Sequence, residues 1–549
     1  MWWLTILQLA AAFIATLAAS RYFIHMLQLE SYQLDGYIRW LKKDTANNMF
    51  GWTLRAGVGA SVLFYALPIL VSMFMTGERR ESMIIAGIVT TVAFLLYTAF
   101  MVYRDYQSRQ KKPLVYTKRV IRLIVSLVIV IAAILLLSLL IFKRNDTANS
   151  EMMLTWLCPF ALMIACPFLP LIAGYLVKPI EEKINMGFYK AAQAKLDARR
   201  DLIKIGITGS YGKTSTKYCL ATILSVKYNV FYPKASINTP MGLSKVINND
   251  LESAHQVFIA EMGARHVGDI QELVQLVHPT YGIITSVGPQ HLETFKTVEN
   301  VANTKFELIE GLPKNGCAFF AADDGEVDKL YERAKCKKYR VGLGKGYMNM
   351  YAEDIEVGTF GSRFTLVTTS GESMRLETKL LGKHNISNIV LCCSLAYELG
   401  MTLEEISQGV SLIKPVKHRL QLINGPMNVI DDAFNSNPVG AKEALNILGA
   451  FPGKHLIITP GFVELGEDEA KFNYQLGVQI AKVCDAAILV GPRHTAPIRQ
   501  GLIQSGFGED AIRVVNTLEE ASALIPTFVS NGDSVLFEND LPDNYTEQK

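Results

Sequence analysis

Eight cysteines are scattered through 549 residues, and no two of them stand in a Cys-x-x-Cys pair. A zinc ribbon and a dense disulfide framework are thereby excluded, and the pattern fits a reducing compartment. Charge is missing where it matters most. Five stretches carry no charged residue at all: 1–20, 56–76, 82–103, 123–142 and 152–177. Each is long enough, as a helix, to cross a hydrocarbon core that needs about 20 apolar residues. Nothing after residue 178 resembles them, although the mean hydropathy of the whole chain is +0.21. Their interiors lack the ionisable groups that proton relay and conduction use, so anchoring or lipid binding is expected of them. No basic segment precedes the first stretch, which opens Met1-Trp2-Trp3 with its arginines only from Arg21 onward. A retained helix is therefore expected rather than a cleaved signal peptide. Repeats and low-complexity tracts are also absent. The net charge of +3 is accounted for by basic residues near the apolar stretches, and no nucleic-acid partner is expected.

The loops set an expected orientation. Loop 21–55 holds Arg21, Arg39, Lys42, Lys43 and Arg55, and loop 104–122 holds Arg104, Arg109, Lys111, Lys112, Lys118, Arg119 and Arg122. Loops 77–81 and 143–151 are short and near neutral. With the basic loops inside, five crossings put the N-terminus outside and everything after residue 178 in the cytoplasm. Residues 179–200 read as a charged helical linker. Beyond it the pattern turns α/β: strands at Gln256–Ile259, Tyr281–Ser286 and Cys317–Ala321 alternate with helices at Val267–Val277 and Val298–Leu312. Such alternation predicts a parallel sheet with crossover helices. Residues 350–383 read as an antiparallel insert, with Arg363–Thr369 and Met374–Leu380 flanking a turn. A second α/β unit is predicted from about 423, with strands at Met427–Ile430, His455–Thr459, Ala486–Leu489, Ile512–Val515 and Ser534–Phe537.

Chemistry enters at Gly206-Ile-Thr-Gly-Ser-Tyr-Gly-Lys-Thr214. It follows the short run Leu202–Ile207 and precedes the helix-compatible segment Ser215–Lys227, the order a phosphate-binding loop needs. Gly209 and Gly212 permit the tight turn, Lys213 supplies a cation and the Thr214 hydroxyl can meet magnesium. The commonest spacing of such loops would place the first glycine at 207, where this chain has Ile207; here it comes one residue earlier, at Gly206. Polar groups recur at strand ends, where open α/β sheets bind ligands. They are Glu261-Met-Gly263, His291 in VGPQHLETF, Lys305 in NTKFELIEGL, Leu381-Gly-Lys-His-Asn-Ile-Ser-Asn388, His418-Arg-Leu420 and Asp431-Asp-Ala-Phe-Asn-Ser-Asn-Pro438. Taken singly, each has an ordinary structural reading: a strand-end acid, a structural histidine, a solvated lysine, a helix cap.

In this order the six clusters resemble the muramyl ligase (Mur ligase) family over roughly residues 203–500, and most closely its subgroup that adds D-alanyl-D-alanine to the UDP-MurNAc-tripeptide. The resemblance implies a fold of an N-terminal bundle of five transmembrane helices (1–178) and a linker (179–200), followed by α/β. The α/β part comprises a P-loop ATPase central domain (201–415) and a Rossmann-like C-terminal domain (416–549). It implies an ADP-forming acid–amino-acid ligase. A substrate carboxylate attacks the γ-phosphate of ATP, and an amine then displaces phosphate from the acyl phosphate. Carried over by position, Gly209, Ser210, Gly212, Lys213, Thr214 and Ser215 bind the nucleotide phosphates. Asn385 contacts adenine, and Arg419 and Asp432 close over phosphates and ribose. Thr214 and Glu261 hold a first magnesium, His291 and a carbamylated Lys305 a second, and Lys213, Lys305 and His291 are the catalytic set. A hinge is expected near Lys414–Arg419.

The departures bear on substrate. Apolar stretches stand where the family carries a soluble domain that grips UDP, so a lipid-linked precursor is as plausible as a UDP-linked one. Phe434 replaces a tyrosine of the subgroup, Ser236–Gly242 follows its Asn-rich pattern only loosely, and Pro460–Gly466 keeps Glu-Leu-Gly with a changed lead-in. The Asp-Asn-Pro-Arg motif of the diaminopimelate-adding ligase is absent. The expected partners are a small or lipid-linked wall precursor, an amino acid or dipeptide, the bilayer, and membrane proteins. The expected location is the cell membrane, multi-pass, with the ligase domains in the cytoplasm. Two other classes remain open: a poly-γ-glutamate-type polymer synthase, and an ATPase gating a membrane bundle.

Overall fold

The computed structural model describes residues 2–43, 45–49, 79–107, 113–143, 158, 160–322, 325–346, 348–358, 361–423, 425–433, 437–463 and 465–540. The chain forms two compact units whose main bodies are Met1–Ile184 and Asn185–Leu541.

The first unit is helical, with long helices at Trp2–Leu29, Arg79–Gln107 and Lys118–Lys143, and with Leu169–Asp197, which runs past the boundary at Ile184. Among the described residues two are long and apolar enough to cross a membrane, Trp3–Leu29 and Lys118–Ile141. The expectation of five is therefore met only in part. Stretch 56–76 lies outside the described residues, and within Arg79–Gln107 the apolar part is the shorter Gly87–Tyr97. Stretch 152–177 is not one continuous helix, because the chain turns at Cys166–Phe168. Pro167 there has no N–H to give and crowds the preceding turn, and its carbonyl takes the Tyr37 hydroxyl at 2.8 Å. The interior of this unit is dry, with Leu27, Tyr37, Val120, Leu127, Ile131 and Ala173 at its centre. At one end Arg122 pairs bidentately with the buried Glu181, Nη2 to Oε2 at 2.9 Å.

The second unit holds two sheets. The larger contains β1 (Ile203–Thr208), β2 (Val230–Phe231), β3 (Val257–Glu261), β4 (Tyr281–Ile284), β5 (Cys317–Ala321), β6 (Lys337–Leu343), β7 (Met350–Gly358), β8 (Gly361–Val367) and β9 (Ser373–Thr378). Its order is β2-β3-β1-β4-β5-β6-β7-β8-β9, parallel as far as β7 and antiparallel after it. The antiparallel insert expected at 350–383 is thus no separate body. β7 pairs with β6 in parallel and carries the hairpins on as part of the same sheet.

Apolar residues fill both faces of this sheet, as parallel strands covered by helices require. Along β3, Val257 and Ile259 belong to one core and Phe258 and Ala260 to the other. The first core packs the helix Lys213–Leu224 against Lys383–Glu398 and includes the thiols of Cys219, Cys392 and Cys393. The second takes in Ala192 and Leu196 from the end of Leu169–Asp197. All eight cysteines are free, and all but Cys336 are buried.

The smaller sheet contains β10 (Gln421–Ile423), β11 (Asn428–Asp432), β12 (His455–Thr459), β13 (Ala486–Val490), β14 (Ile512–Val515) and β15 (Ser534–Glu538). Its order is β10-β11-β15-β12-β13-β14, parallel except for β10. The short edge strand β10 is the one element of this sheet that the sequence pattern does not predict.

Candidate functional site

β1 lies at the point where the strand order reverses, with β3 and β2 on one side and β4 onward on the other. A crevice opens at the carboxyl ends of the strands at such a point. The chain leaves β1 through Gly209 (φ +154°) and Gly212 (φ +82°). A Cβ at Gly209 would stand 2.0 Å from Thr285 Oγ1, and one at Gly212 would stand 2.9 Å from Asn388 Oδ1. Only glycine fits this close approach of backbone to its neighbours.

The loop is stapled to the segment that follows β4. The Ser210 N–H donates to the Ser286 carbonyl at 2.8 Å, and the Tyr211 N–H to Ser286 Oγ at 2.9 Å. The Tyr211 hydroxyl reaches the Pro289 carbonyl at 2.7 Å. His291 comes two residues later, in a left-handed conformation (φ +52°) at the start of the short helix Leu292–Phe295.

Helix Lys213–Leu224 presents its N-terminus to the crevice, the arrangement that receives phosphate. Lys213 Nζ donates to the Gly209 and Ser210 carbonyls at 2.6 and 3.2 Å. Burial draws its pKa down to about 8, against the opposing pull of Glu261. Ser215, partly buried, lies in the same first turn. The Thr214 hydroxyl stands 3.0 Å from both oxygens of Glu261, at the tip of β3. Both residues are buried, Glu261 with 1% of its surface exposed. Asn238 Nδ2 donates to Glu261 Oε1 at 3.1 Å, and Lys217 Nζ lies 3.1 Å from Oε2.

Lys305, on helix Val298–Glu310, is 2% exposed. Among the described residues no hydrogen bond or ion pair holds its ammonium. Burial, with the nearby charge of Lys213 acting in the same direction, holds its pKa well below the usual lysine value. Asn385 is also buried, and its Nδ2 donates to the Leu381 carbonyl at 2.8 Å, closing its own turn.

The second sheet contributes Arg419. His418 (φ +60°) and Leu420 (φ +46°) flank it in left-handed conformations that cost side-chain-bearing residues free energy. Both are pinned. His418 Nδ1 is 2.7 Å from Asp431 Oδ2, and the Leu420 N–H donates to Asp432 Oδ1 at 2.9 Å. So held, Arg419 Nη2 reaches Thr214 Oγ1 at 3.3 Å. Burial lowers the Arg419 pKa, partly offset by Glu261 and Asp432, and burial raises that of Asp432 to about 6.

Lys213, Thr214, Glu261 and Arg419 therefore converge, with Lys305 close enough to Lys213 for their charges to interact. Lys217, Ser236, Asn238 and Asn388 belong to the same neighbourhood and are not among the sequence-derived candidates. The available signal for Lys217 is its spacing, one helical turn after Lys213. Among the described residues no three His, Cys, Asp or Glu side chains gather as a metal cluster. One carboxylate and one hydroxyl beside a phosphate cradle still fit magnesium, which takes few protein oxygens and completes its shell with phosphates and water.

Comparison with known proteins agrees with this geometry. Residues 207–396 match the Mur ligase middle domain, and residues 418–538 match the Mur ligase, glutamate ligase domain. The UDP-N-acetylmuramoyl-tripeptide–D-alanyl-D-alanine ligase of Escherichia coli (strain K12) is 31% identical over 297 residues, covering 53% of this chain and 65% of that protein. The chain thus spans just under two thirds of that relative. The ligase of the same name from Mycobacterium leprae (strain TN) is 30% identical over 383 residues, covering 64% of this chain and 73% of that protein. Among solved structures, MurF from Acinetobacter baumannii has a TM-score of 0.59 at 26% identity, covering 65% of this chain and 77% of that one. MurF from Thermotoga maritima in complex with ADP has a TM-score of 0.59 at 25% identity, covering 65% and 80%. A glycine cradle at the switch point, a buried Thr–Glu pair beside it, an arginine reaching in from a second parallel sheet and relatives that share both domains lead to one conclusion: the chain belongs to the Mur ligase family.

Proposed function

We propose that this protein is an ATP-dependent, ADP-forming amide ligase that joins an amino acid or a D-Ala-D-Ala-like dipeptide to a cell-wall or envelope precursor. The observation that carries the reading is the convergence of Lys213, Thr214, Glu261 and Arg419 at the switch point. In the first step an acceptor carboxylate oxygen bonds to the γ-phosphorus and the bond to ADP breaks. In the second the incoming amine bonds to the acyl carbon, phosphate departs and the amine loses its protons to solvent. The difficulty is bringing two anions together. Lys213 and the loop amides neutralise the β- and γ-phosphates, and Arg419 adds a second cation from the other sheet. Thr214 and Glu261 would hold magnesium, which supplies charge neutralisation between the phosphates.

Lys305 is suited to carbamylation. A neutral amine is the form that adds carbon dioxide, with an N–C bond formed and a proton released, and burial favours that form here. The carbamate, with His291, would be the ligand pair for a second ion. Asn385 would turn its amide to adenine, and Asp432 would stand by the ribose. The apolar helices Trp3–Leu29 and Lys118–Ile141 support attachment to the cell membrane, with the ligase part in the cytoplasm where ATP is available. That placement favours an acceptor presented at the bilayer.

The test is phosphate release by the detergent-purified protein with ATP and magnesium. UDP-MurNAc-tripeptide, its lipid-linked form and glutamate would each be offered with D-Ala-D-Ala and with single amino acids, and products weighed by mass spectrometry. One condensed product per ADP is expected. A ladder of repeated additions would indicate a polymer synthase instead, and turnover without any new amide would overturn the ligase reading.

A further inference from the structure

Lys217 has no exposed surface. Its ammonium lies 3.1 Å from Glu261 Oε2, donates to the Ala235 carbonyl at 2.5 Å and sits 5.0 Å from the centre of the Tyr218 ring. A lysine withdrawn from water is tolerated only where its charge is met, and here the groups that meet it belong to the wall of the nucleotide site. Ala235 is unusual in its own right. It adopts φ +57°, a region that residues with a Cβ seldom occupy. Both of its polar groups are held from the phosphate-loop helix: its N–H donates to Tyr218 Oη at 2.9 Å, and its carbonyl accepts from Lys217. The residues that follow turn into the site. Ser236 Oγ is 3.4 Å from Thr214 Oγ1, and Asn238 donates to Glu261 Oε1 at 3.1 Å while its carbonyl accepts the Gly263 N–H at 3.0 Å.

We propose that Lys217 is a positioning residue that keeps the Glu261 carboxylate turned toward Thr214 and ties loop 235–238 to it as one wall. The inference rests on the nucleotide–magnesium reading of the site. Two other cations act on this region, Lys213 and Arg419, and Glu261 interacts electrostatically with both. Without Lys217, Arg419, which already reaches Thr214 at 3.3 Å, captures the carboxylate and competes with the metal for it.

The test uses the full-length protein in detergent, titrated with a fluorescent ADP over a range of magnesium concentrations. Wild-type protein that fails to bind ADP in a magnesium-dependent way would sink the site reading itself. Given that binding, Lys217→Met, similar in length but uncharged, is expected to need about tenfold more magnesium or beyond. Its binding in EDTA stays unchanged, and hydrogen exchange in 234–239 rises. Lys217→Arg restores part of the magnesium response. Lys217→Gln, which can still donate to Ala235, keeps the loop protected yet shares the magnesium defect. It takes the place of the methionine variant if that variant gives no cooperative thermal transition. A wild-type magnesium response in Lys217→Gln, or in a folded Lys217→Met, overturns the proposal.

Discussion

Lys305 carries a measurable consequence of being buried as a neutral amine. Its folded-state pKa lies below the unfolded value near 10.4, so the unfolded chain binds more protons between the two values and stability rises with pH across that window. Lys305→Met is therefore expected to raise the unfolding midpoint near neutral pH in buffer free of carbon dioxide. The advantage should shrink as pH climbs toward 10.4, as read by thermal melts across a pH series. The same position gives a functional readout: activity lost in Lys305→Ala should return in part with short carboxylic acids and not with excess bicarbonate. Full activity in that variant would remove the carbamate role. At Gly209 the prediction is steric. An alanine Cβ would fall 2.0 Å from Thr285 Oγ1, a hydroxyl already bound to the Tyr211 carbonyl. Overpacking of this kind costs about 1–3 kcal/mol, so Gly209→Ala should lower the melting midpoint and weaken ADP binding together. The glycines and Lys213 were legible because a phosphate loop is written in consecutive residues. Lys217 was not, because a lysine on a helix reads as solvated and full burial of one is rare.

At the scale of elements, the arm Lys417–Leu420 joins the sheets through a single guanidinium. Two left-handed residues, each pinned by an aspartate at the end of β11, aim it. A hydrogen bond to a charged group contributes about 1.5–3 kcal/mol. Arg419→Met should accordingly raise the KM for ATP by about tenfold or more while leaving the melting midpoint little changed, and an unaltered KM would deny Arg419 a part in nucleotide binding. Strands with continuous apolar runs, such as β5 and β12, were predicted with their full bounds because a buried parallel strand needs few polar residues. β6 was missed: its outer half, Lys337–Arg340, is polar and only partly buried. The pairing of β6 with β7, which makes one sheet of what reads as an insert, lies between segments with no local signal for each other. Pro167 was visible in the sequence, but composition alone gave it too little weight against a long uncharged run.

For the molecule as a whole, the division at Ile184 predicts separable behaviour. A fragment of residues 185–549 keeps Ala192 and Leu196, which complete the second core. It is expected to stay in solution without detergent and to bind ADP with magnesium, as isothermal calorimetry would report. Aggregation of that fragment would mean that the helices contribute to folding as well as attachment. Both compact units also hold buried free thiols: Cys158 and Cys166 among the helices, Cys219, Cys317, Cys392 and Cys393 around the larger sheet, and Cys484 beside the smaller one. Burial pushes the Cys219 and Cys317 thiols up to about 12 and those of Cys392, Cys393 and Cys484 higher still. As protonated thiols they react poorly, and a reagent reaches them only when their surroundings open. Labelling times followed by mass spectrometry would thus date the breathing of each part of the protein separately, with the more accessible Cys336 as the fast internal clock.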